Sequence, residues 1–274
     1  AMLVKDGRFR DVYIPAELYQ ELREAVAERE RLQEQLVGIN NQVMRWLDIR
    51  FPEFSSVFKD WTCKTALTTL KTLPTPAKLI VAGAEGVLKV WQEHLKRSSL
   101  KKAEWLVRTA EESIGRTAGS EAAEAVLMNL LLQYELITVQ KEQIEGLMSE
   151  LLLRVPNAGN LLEIKGVGMI TAAVIISEIG DIHRFQDPRQ IVKMAGLSLK
   201  ENSSGKHKGK TTISKRGRKR LREGLFRVMI PMLASNAEFK AMHHRNLTRD
   251  KNPLKKMQSS LRFVANWFVS FMRF

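Results

Sequence analysis

Two stretches of this chain repeat apolar residues in steps of three and four, and that period restricts the fold more than any other feature. From about Pro15 to Phe51 the apolar positions are Leu18, Leu22, Ala25, Leu32, Leu36, Ile39, Val43 and Trp46, with Arg29 in one slot. The second stretch runs through Leu127, Leu130, Tyr134, Ile137, Ile144, Met148, Leu151 and Val155, with Lys141 in its gap. A mean step near 3.5 residues keeps one stripe of a helix turned toward a partner, whereas a strand alternates its faces every two residues. Both stretches therefore predict long helices. Their similar lengths and single off-pattern cations suggest an antiparallel helical pair, closed either within one chain or between two. A charge in an apolar seam lowers stability and selects partners. An ordinary bundle whose seam is only core would show the same pattern.

Residues 52–118, between the stripes, read as a small helical insert with a packing role. Leu73-Pro74-Thr75-Pro76 breaks one element and starts another, with Thr75 as N-cap and Pro76 at the first helical position. Val87 to Leu95 and Ala103 to Ile114 predict further short helices, the second ending at Gly115. Trp61, Trp91 and Trp105 are expected in the core. Cys63, the one cysteine, is expected there too, because no histidine is placed to activate it. A single thiol allows neither an internal disulfide nor a thiolate zinc site, which suits a reducing, cytoplasmic compartment. No charged-then-apolar leader opens the sequence, and Ala1 before Met2 reads as an expression scar. After Val155 the turn cluster Pro156-Asn157-Ala158-Gly159-Asn160 predicts a boundary between a region 1–155 and a region 156–274.

A length of 274 residues suffices for a real core, and a net charge of +14 calls for a polyanionic partner. Membrane surface is the rival polyanion. No segment is expected to be apolar for long enough to span a bilayer, and the basic residues gather around Gly and Ser instead of along an amphipathic helix. Nucleic acid is therefore the expected partner. The charge concentrates between Lys200 and Arg222, where ten Lys or Arg accompany one His and one Glu. That run contains Asn202-Ser203-Ser204-Gly205 and Ile213-Ser214-Lys215-Arg216-Gly217. A serine hydroxyl is a weak nucleophile and needs a cationic clamp on phosphate together with an outside base or metal. Lys206, Lys208, Lys210, Lys215 and Arg216 could supply the clamp. A basic loop that only binds nucleic acid has the same composition. Ser214 reads as the N-cap of a helix from Lys215 to Val228, with Leu221, Leu225 and Val228 on one face. Arg218, Lys219, Arg220 and Arg222 would surround that helix and meet phosphate.

Upstream, Leu161 to Ile175 gives a short apolar helix end, then Lys165-Gly166-Val167-Gly168, then a helix that starts with small residues. It resembles the helix-hairpin-helix element of DNA-repair and recombination proteins. Gly166 and Gly168 would let backbone approach a phosphate, the following N–H groups would donate to it, and Lys165 would add charge. His183 stands alone and reads as a surface or capping residue. Adjacent His243 and His244 point to different faces of one helix, so no metal ligands are assigned. Two helices are expected after Pro231, at Ala234–His243 and Leu261–Phe271. Phe263, Trp267, Phe271 and Phe274 follow helical spacing and are expected in the core, and Lys251, Lys255 and Lys256 make another basic turn.

Several of these segments follow one another in a specific order. Gly166-Val167-Gly168 precedes Glu178-Ile179-Gly180-Asp181 with Arg184-Phe185, then Ala195-Gly196-Leu197, Ser203-Ser204-Gly205 with Gly209-Lys210, Ile213-Ser214-Lys215-Arg216-Gly217 and Leu221-Arg222. This order resembles the C-terminal transposase domain of the insertion-sequence one-ten group, with its eleven-eleven branch, a family of DEDD transposases guided by a bridge RNA. Phe9-Arg10, Tyr13-Ile14-Pro15, Arg45-Trp46-Leu47-Asp48 and Phe51-Pro52-Glu53-Phe54 are similar to the coiled-coil region that follows that family's nuclease-like domain. The resemblance implies an all-α chain: a long coiled-coil helical hairpin with a helical insert, then a helical C-terminal domain containing the helix-hairpin-helix-like element. It implies DNA and a guide RNA as partners and a serine nucleophile at Ser204, with Ser203 the alternate; assembly through the helical seam would give a homodimer or higher oligomer. The family's opening Gly-Ile-Asp strand is absent here. No cofactor is expected in this chain, and magnesium only with the carboxylates of the nuclease-like domain. A non-catalytic helical DNA- or RNA-binding module remains the competing expectation.

Overall fold

Helices of 34 and 35 residues, α1 (Glu17–Arg50) and α6 (Ser120–Arg154), carry the two stripes. The structure is a computed structural model. It describes residues 15–96, 98–156, 158–164, 166–200, 203–204, 207–208 and 212–271, with backbone alone at 203–204, 207–208 and 264–271. The described residues are all-α apart from four two-residue strands. Leu22, Val43, Leu127 and Leu131 are wholly excluded from solvent, and Leu32 is buried. Arg29 does not waste its place in the seam. Its Nε donates to Glu145 Oε1 at 2.7 Å, so the off-pattern cation has a carboxylate on the other long helix of the same chain. Trp46 Nε1 likewise donates to the Ala123 carbonyl at 2.8 Å.

Two compact units divide the chain, and both long helices contribute to each. One unit is Glu30–Glu142. It contains α2 (Phe54–Val57), α3 (Lys64–Thr72), α4 (Pro76–His94) and α5 (Leu100–Glu111). Phe51, Phe54, Leu70, Leu79, Trp91 and Leu106 fill its core. Trp91 donates to Thr69 Oγ1 at 2.9 Å and Trp61 to Asn40 Oδ1 at 2.8 Å, so each buried indole keeps a partner for its N–H. Trp105 departs from expectation and is 49% exposed. Helix α5 buries Ala103, Leu106 and Ala110, a three-to-four spacing that leaves position 105 off the packed face. Cys63 is also exposed instead of core, because it stands at the N-cap position of α3. Thr75 precedes Pro76 as expected, yet its side chain makes no cap bond. Helix α4 starts at Pro76 as expected, runs on through the segment expected to be helical from Val87, and breaks at Gly83, whose φ of 64° suits a residue without Cβ.

The expectation that nothing is long and apolar enough to cross a bilayer does not hold for α6, which passes by length and composition. Its Glu124 and Glu135 nevertheless pair with Lys78 and Lys71. A helix with two acids bound to neighbouring lysines reads as packed on protein.

The second unit comprises the described parts of Ala1–Arg29 and Gln143–Phe274, so the turn at 156 falls inside it. After α6 come α7 (Ala158–Leu162), α8 (Met169–Ile179), a 3-10 turn at Ile182–Arg184, and α9 (Pro188–Met194). Helices α10 (Lys219–Ser235), α11 (Ala237–Thr248) and α12 (Lys256–Phe271) follow. Helix α8 is the centre. Ala172, Ala173, Val174, Ile175, Ser177, Glu178 and Ile179 are all buried. Helix α10 lies against it through Gly224, where a Cβ would stand 3.2 Å from Ile175 Cγ1 and 3.3 Å from Val174 Cγ1. Phe263 of α12 is buried as expected. The side chains of Trp267 and Phe271, and all of Phe274, lie outside the described residues.

Candidate nucleic-acid interface

The segment expected as a basic loop is a β-ribbon at its described positions. Strand β1 (Leu199–Lys200) pairs antiparallel with β4 (Thr212–Ile213), Leu199 opposite Ile213 and Lys200 opposite Thr212. Strand β2 (Ser203–Ser204) pairs with β3 (His207–Lys208), Ser203 opposite Lys208 and Ser204 opposite His207. Side chains are described at neither β2 nor β3, and Lys165, Lys206 and Lys210 lie outside the described residues altogether.

Backbone contacts fix the base of the ribbon. Ser214 N–H donates to Ser198 O at 2.8 Å, Lys215 N–H to Gly196 O at 3.0 Å and Arg218 N–H to Met194 O at 2.7 Å. A Cβ on Gly217 would stand 2.3 Å from Met194 O, so only glycine allows the returning chain this close to the end of α9. Ser214 is not the N-cap expected from sequence. Helix α10 begins at Lys219 with Arg218 in the cap position, and the Ser214 hydroxyl donates instead to Gly196 O at 3.2 Å. The four residues before the helix are used to close the ribbon.

The cations divide into two groups. Lys215 and Arg216 are exposed at the ribbon base, and Lys219 is exposed beside Glu223 at 3.6 Å. Arg220 is half-buried. Arg218 and Arg222, expected to project toward phosphate, instead bind protein. Arg222 Nη1 donates to Ala195 O at 2.9 Å. Arg218 Nη1 binds both the main-chain carbonyl of Glu178 and its Oε2, the latter at 3.3 Å.

That contact belongs to a larger arrangement. Arg23 donates to Ser177 O at 3.0 and 3.2 Å, and Arg184 to Ile179 O at 3.0 Å. Three guanidiniums thus bind the successive carbonyls of Ser177, Glu178 and Ile179, at the end of a helix whose last carbonyls have no partner within the helix. Positive charge there also offsets the negative end of the dipole. The Glu178 side chain is 9% exposed and stable in that position only with a cation against it. Arg23 and Glu178 are functional scaffold that sequence reasoning missed. A lone charged residue in Met169–Ile179, a segment otherwise made of apolar residues with one Thr and one Ser, was the available signal.

The Gly-x-Gly turn joins α7 to α8. Val167 is buried while Gly166 and Gly168 are exposed, and Val167 N–H donates to Ile164 O at 2.9 Å. Gly166 has a φ of 95°, and a Cβ on it would meet Pro231 Cβ at 2.3 Å. Packing against α10 therefore requires this glycine whether or not a phosphate approaches. Gly168 faces open space and occupies the N-cap of α8 with no side chain to cap it. Of the two glycines, it leaves backbone donors accessible.

Comparisons with known proteins bear on this half of the chain. Residues 158–244, from α7 into α11, match the family described as Transposase IS116/IS110/IS902. A 59-residue stretch is 42% identical to the transposase for insertion sequence element IS1111A of Coxiella burnetii, covering 22% of this chain and 16% of that protein. A 62-residue stretch is 37% identical to y4qE of Sinorhizobium fredii, also described as a transposase, covering 23% and 16% respectively. The matched stretches thus span about a sixth of each relative's length.

Proposed function

We propose, from the premise that residues 158–244 belong to the IS116/IS110/IS902 transposase family, that this chain is the DNA-handling part of a transposase and carries its serine nucleophile. The observation that carries the reading is the position of Ser203-Ser204. They lie within the family-matched segment, on a ribbon whose base is fixed to α9 and flanked by exposed Lys215 and Arg216. Lys215, Arg216 and Lys219 hold DNA phosphates at the base, and Lys206, Lys208 and Lys210 extend the clamp along the sequence. Backbone donors at Gly168 add a contact that reads phosphate and no base. A guide RNA, expected from the resemblance, shares this basic surface.

The reacting hydroxyl is that of Ser204, with Ser203 the alternate. Family resemblance assigns magnesium to the carboxylates of a nuclease-like domain, where it would stabilise charge on the reacting phosphate. Replacing Ser204→Ala in the full-length transposase should abolish strand exchange and leave DNA affinity unchanged. Undiminished recombination by that variant would remove the assignment.

The second reading, a helical nucleic-acid-binding module without chemistry, draws support from Arg218 and Arg222, whose guanidiniums serve the protein interior. A protein–DNA covalent adduct, formed when the nuclease-like domain is supplied in trans, separates the two readings. Only the transposase reading yields it.

A further inference from the structure

Building on the DNA-handling reading above, we infer that the turn between α11 and α12 is a second nucleic-acid surface, one that takes the phosphate backbone of duplex DNA without reading its bases. From Arg245 to Lys256 the sequence places five Lys or Arg against one acid, Asp250. The family match ends at His244, so neither it nor the ribbon accounts for this charge. Arg245, Lys251, Lys255 and Lys256 are exposed, and their side chains have no ion-pair or hydrogen-bond partner among the described residues. Arg218 and Arg222 in the same unit bind main-chain carbonyls of the protein; these four cations do nothing comparable. Their mutual repulsion opposes the fold, and a polyanion would relieve it while releasing counterions of its own.

The backbone that carries these charges is fixed by its own hydrogen bonds. Arg249 Nε donates to the Asn252 carbonyl, and Leu254 N–H to Asn246 O at 2.9 Å. Asn252 has a φ of 53°, in the left-handed region that asparagine tolerates better than most residues. Lys255 N–H donates to Gln258 Oε1 at 3.0 Å. Ser259, wholly buried, hydrogen-bonds with His243 Nδ1 at 2.8 Å and accepts from Asn246 Nδ2 at 3.3 Å, which ties α11 to α12 beside the turn. The lysines are thus presented on ordered backbone, and less ordering entropy opposes binding.

The chemistry of the exposed groups selects the partner. Recognition of unpaired bases relies on aromatic stacking, and residues 245–256 contain no aromatic residue, while Phe263 further along α12 is buried. Lysine ammoniums are point charges that hold a phosphate oxygen without the fixed fork that reads a base edge. Three lysines and an arginine on a fixed turn therefore fit the evenly spaced phosphates of a duplex.

Fluorescence anisotropy of a labelled DNA duplex of arbitrary sequence, titrated with this chain at several salt concentrations, tests the surface. Lys251→Gln/Lys255→Gln/Lys256→Gln is compared with Lys64→Gln/Lys89→Gln/Lys101→Gln, exposed lysines of the other unit, so that both variants lose three charges. The turn variant should bind about tenfold or more weakly, with a slope of log affinity against log salt shallower by about 2 to 3, and the control should keep the wild-type slope. Lys251→Arg/Lys255→Arg/Lys256→Arg should keep both affinity and slope, and a second duplex of unrelated sequence should report the same changes. Equal losses in the turn and control variants, a loss as deep in the arginine variant as in the glutamine one, or a loss confined to single-stranded RNA would overturn the surface. So would wild-type affinity in the turn variant beside a loss in Lys215→Gln/Arg216→Gln, an outcome that leaves the DNA-handling reading standing. A wild-type chain that binds no duplex would remove both.

Discussion

Glu178 shows how a single side chain positions the site. Its buried carboxylate is held by Arg218, the residue that also caps α10 and joins the ribbon base to α9. Removing one partner of a buried pair leaves a charge without compensation and costs on the order of 3 kcal/mol. Arg218→Ala should therefore lower unfolding free energy by about that amount in urea titration, while Lys219→Ala, at an exposed position, should change it by less than about 0.5 kcal/mol. Equal effects would remove the structural role assigned to Arg218. At this scale the sequence was legible by residue type and opaque by direction. Ten cations in 23 residues identified a basic region, but nothing in their spacing distinguishes a guanidinium turned toward α8 from one facing solvent. That depends on which carbonyls the fold leaves unpaired nearby.

Elements were read with uneven success, for a physical reason. Long stripes such as Leu18 to Trp46 sum many weak preferences along a helix of 34 residues, and both long helices appear close to their expected limits. The ribbon has no such signal. Its strands are two residues each, too short for a period, and β2 and β3 use only Ser, His and Lys, which have little strand preference. It is held by register and by the backbone bonds from Lys215 to Gly196 and from Arg218 to Met194. Helix ends follow a similar rule: Ser214 has the right type for an N-cap, but ribbon closure takes its hydroxyl. In the other unit, Glu53 joins α2 to the segment after α5, accepting from Ser113 Oγ at 2.6 Å and Ile114 N–H at 3.1 Å. Burial alone would raise its carboxyl. The Ser113 hydroxyl, the Ile114 N–H and its own N–H outweigh that and hold it below the ordinary carboxylate range. Because the folded pKa is the lower one, the contribution is present above the unfolded pKa and disappears as pH falls through the folded value. Urea midpoints should therefore fall in acid, and Glu53→Gln should flatten that dependence. An unchanged acid slope in Glu53→Gln would contradict the assignment.

At the scale of the whole molecule, the family match and the proposed mechanism rest on different evidence. The match at residues 158–244 was legible in the order of motifs, because several short segments in sequence are more specific than any one of them. Assembly was not legible, since a seam has the same period whether its partner is in the same chain or another. Arg29–Glu145 and Trp46–Ala123 are contacts within one chain. Helix α6 also exposes Leu132, Leu136 and Val139 on a second stripe, which would suit a further copy. Solution mass should correspond to at least two chains and rise with nucleic acid bound; a monomer under both conditions would exclude that assembly.

The most direct measurement of the proposed chemistry is the site of covalent attachment when this chain, supplied with a metal-binding nuclease-like domain, is given a DNA substrate and the reaction is quenched before rejoining. Peptide mass spectrometry should find a nucleotide-bearing phosphate on Ser204 and none after Ser204→Ala. An adduct on another residue, or cleavage that proceeds without any protein–DNA linkage, would contradict the account.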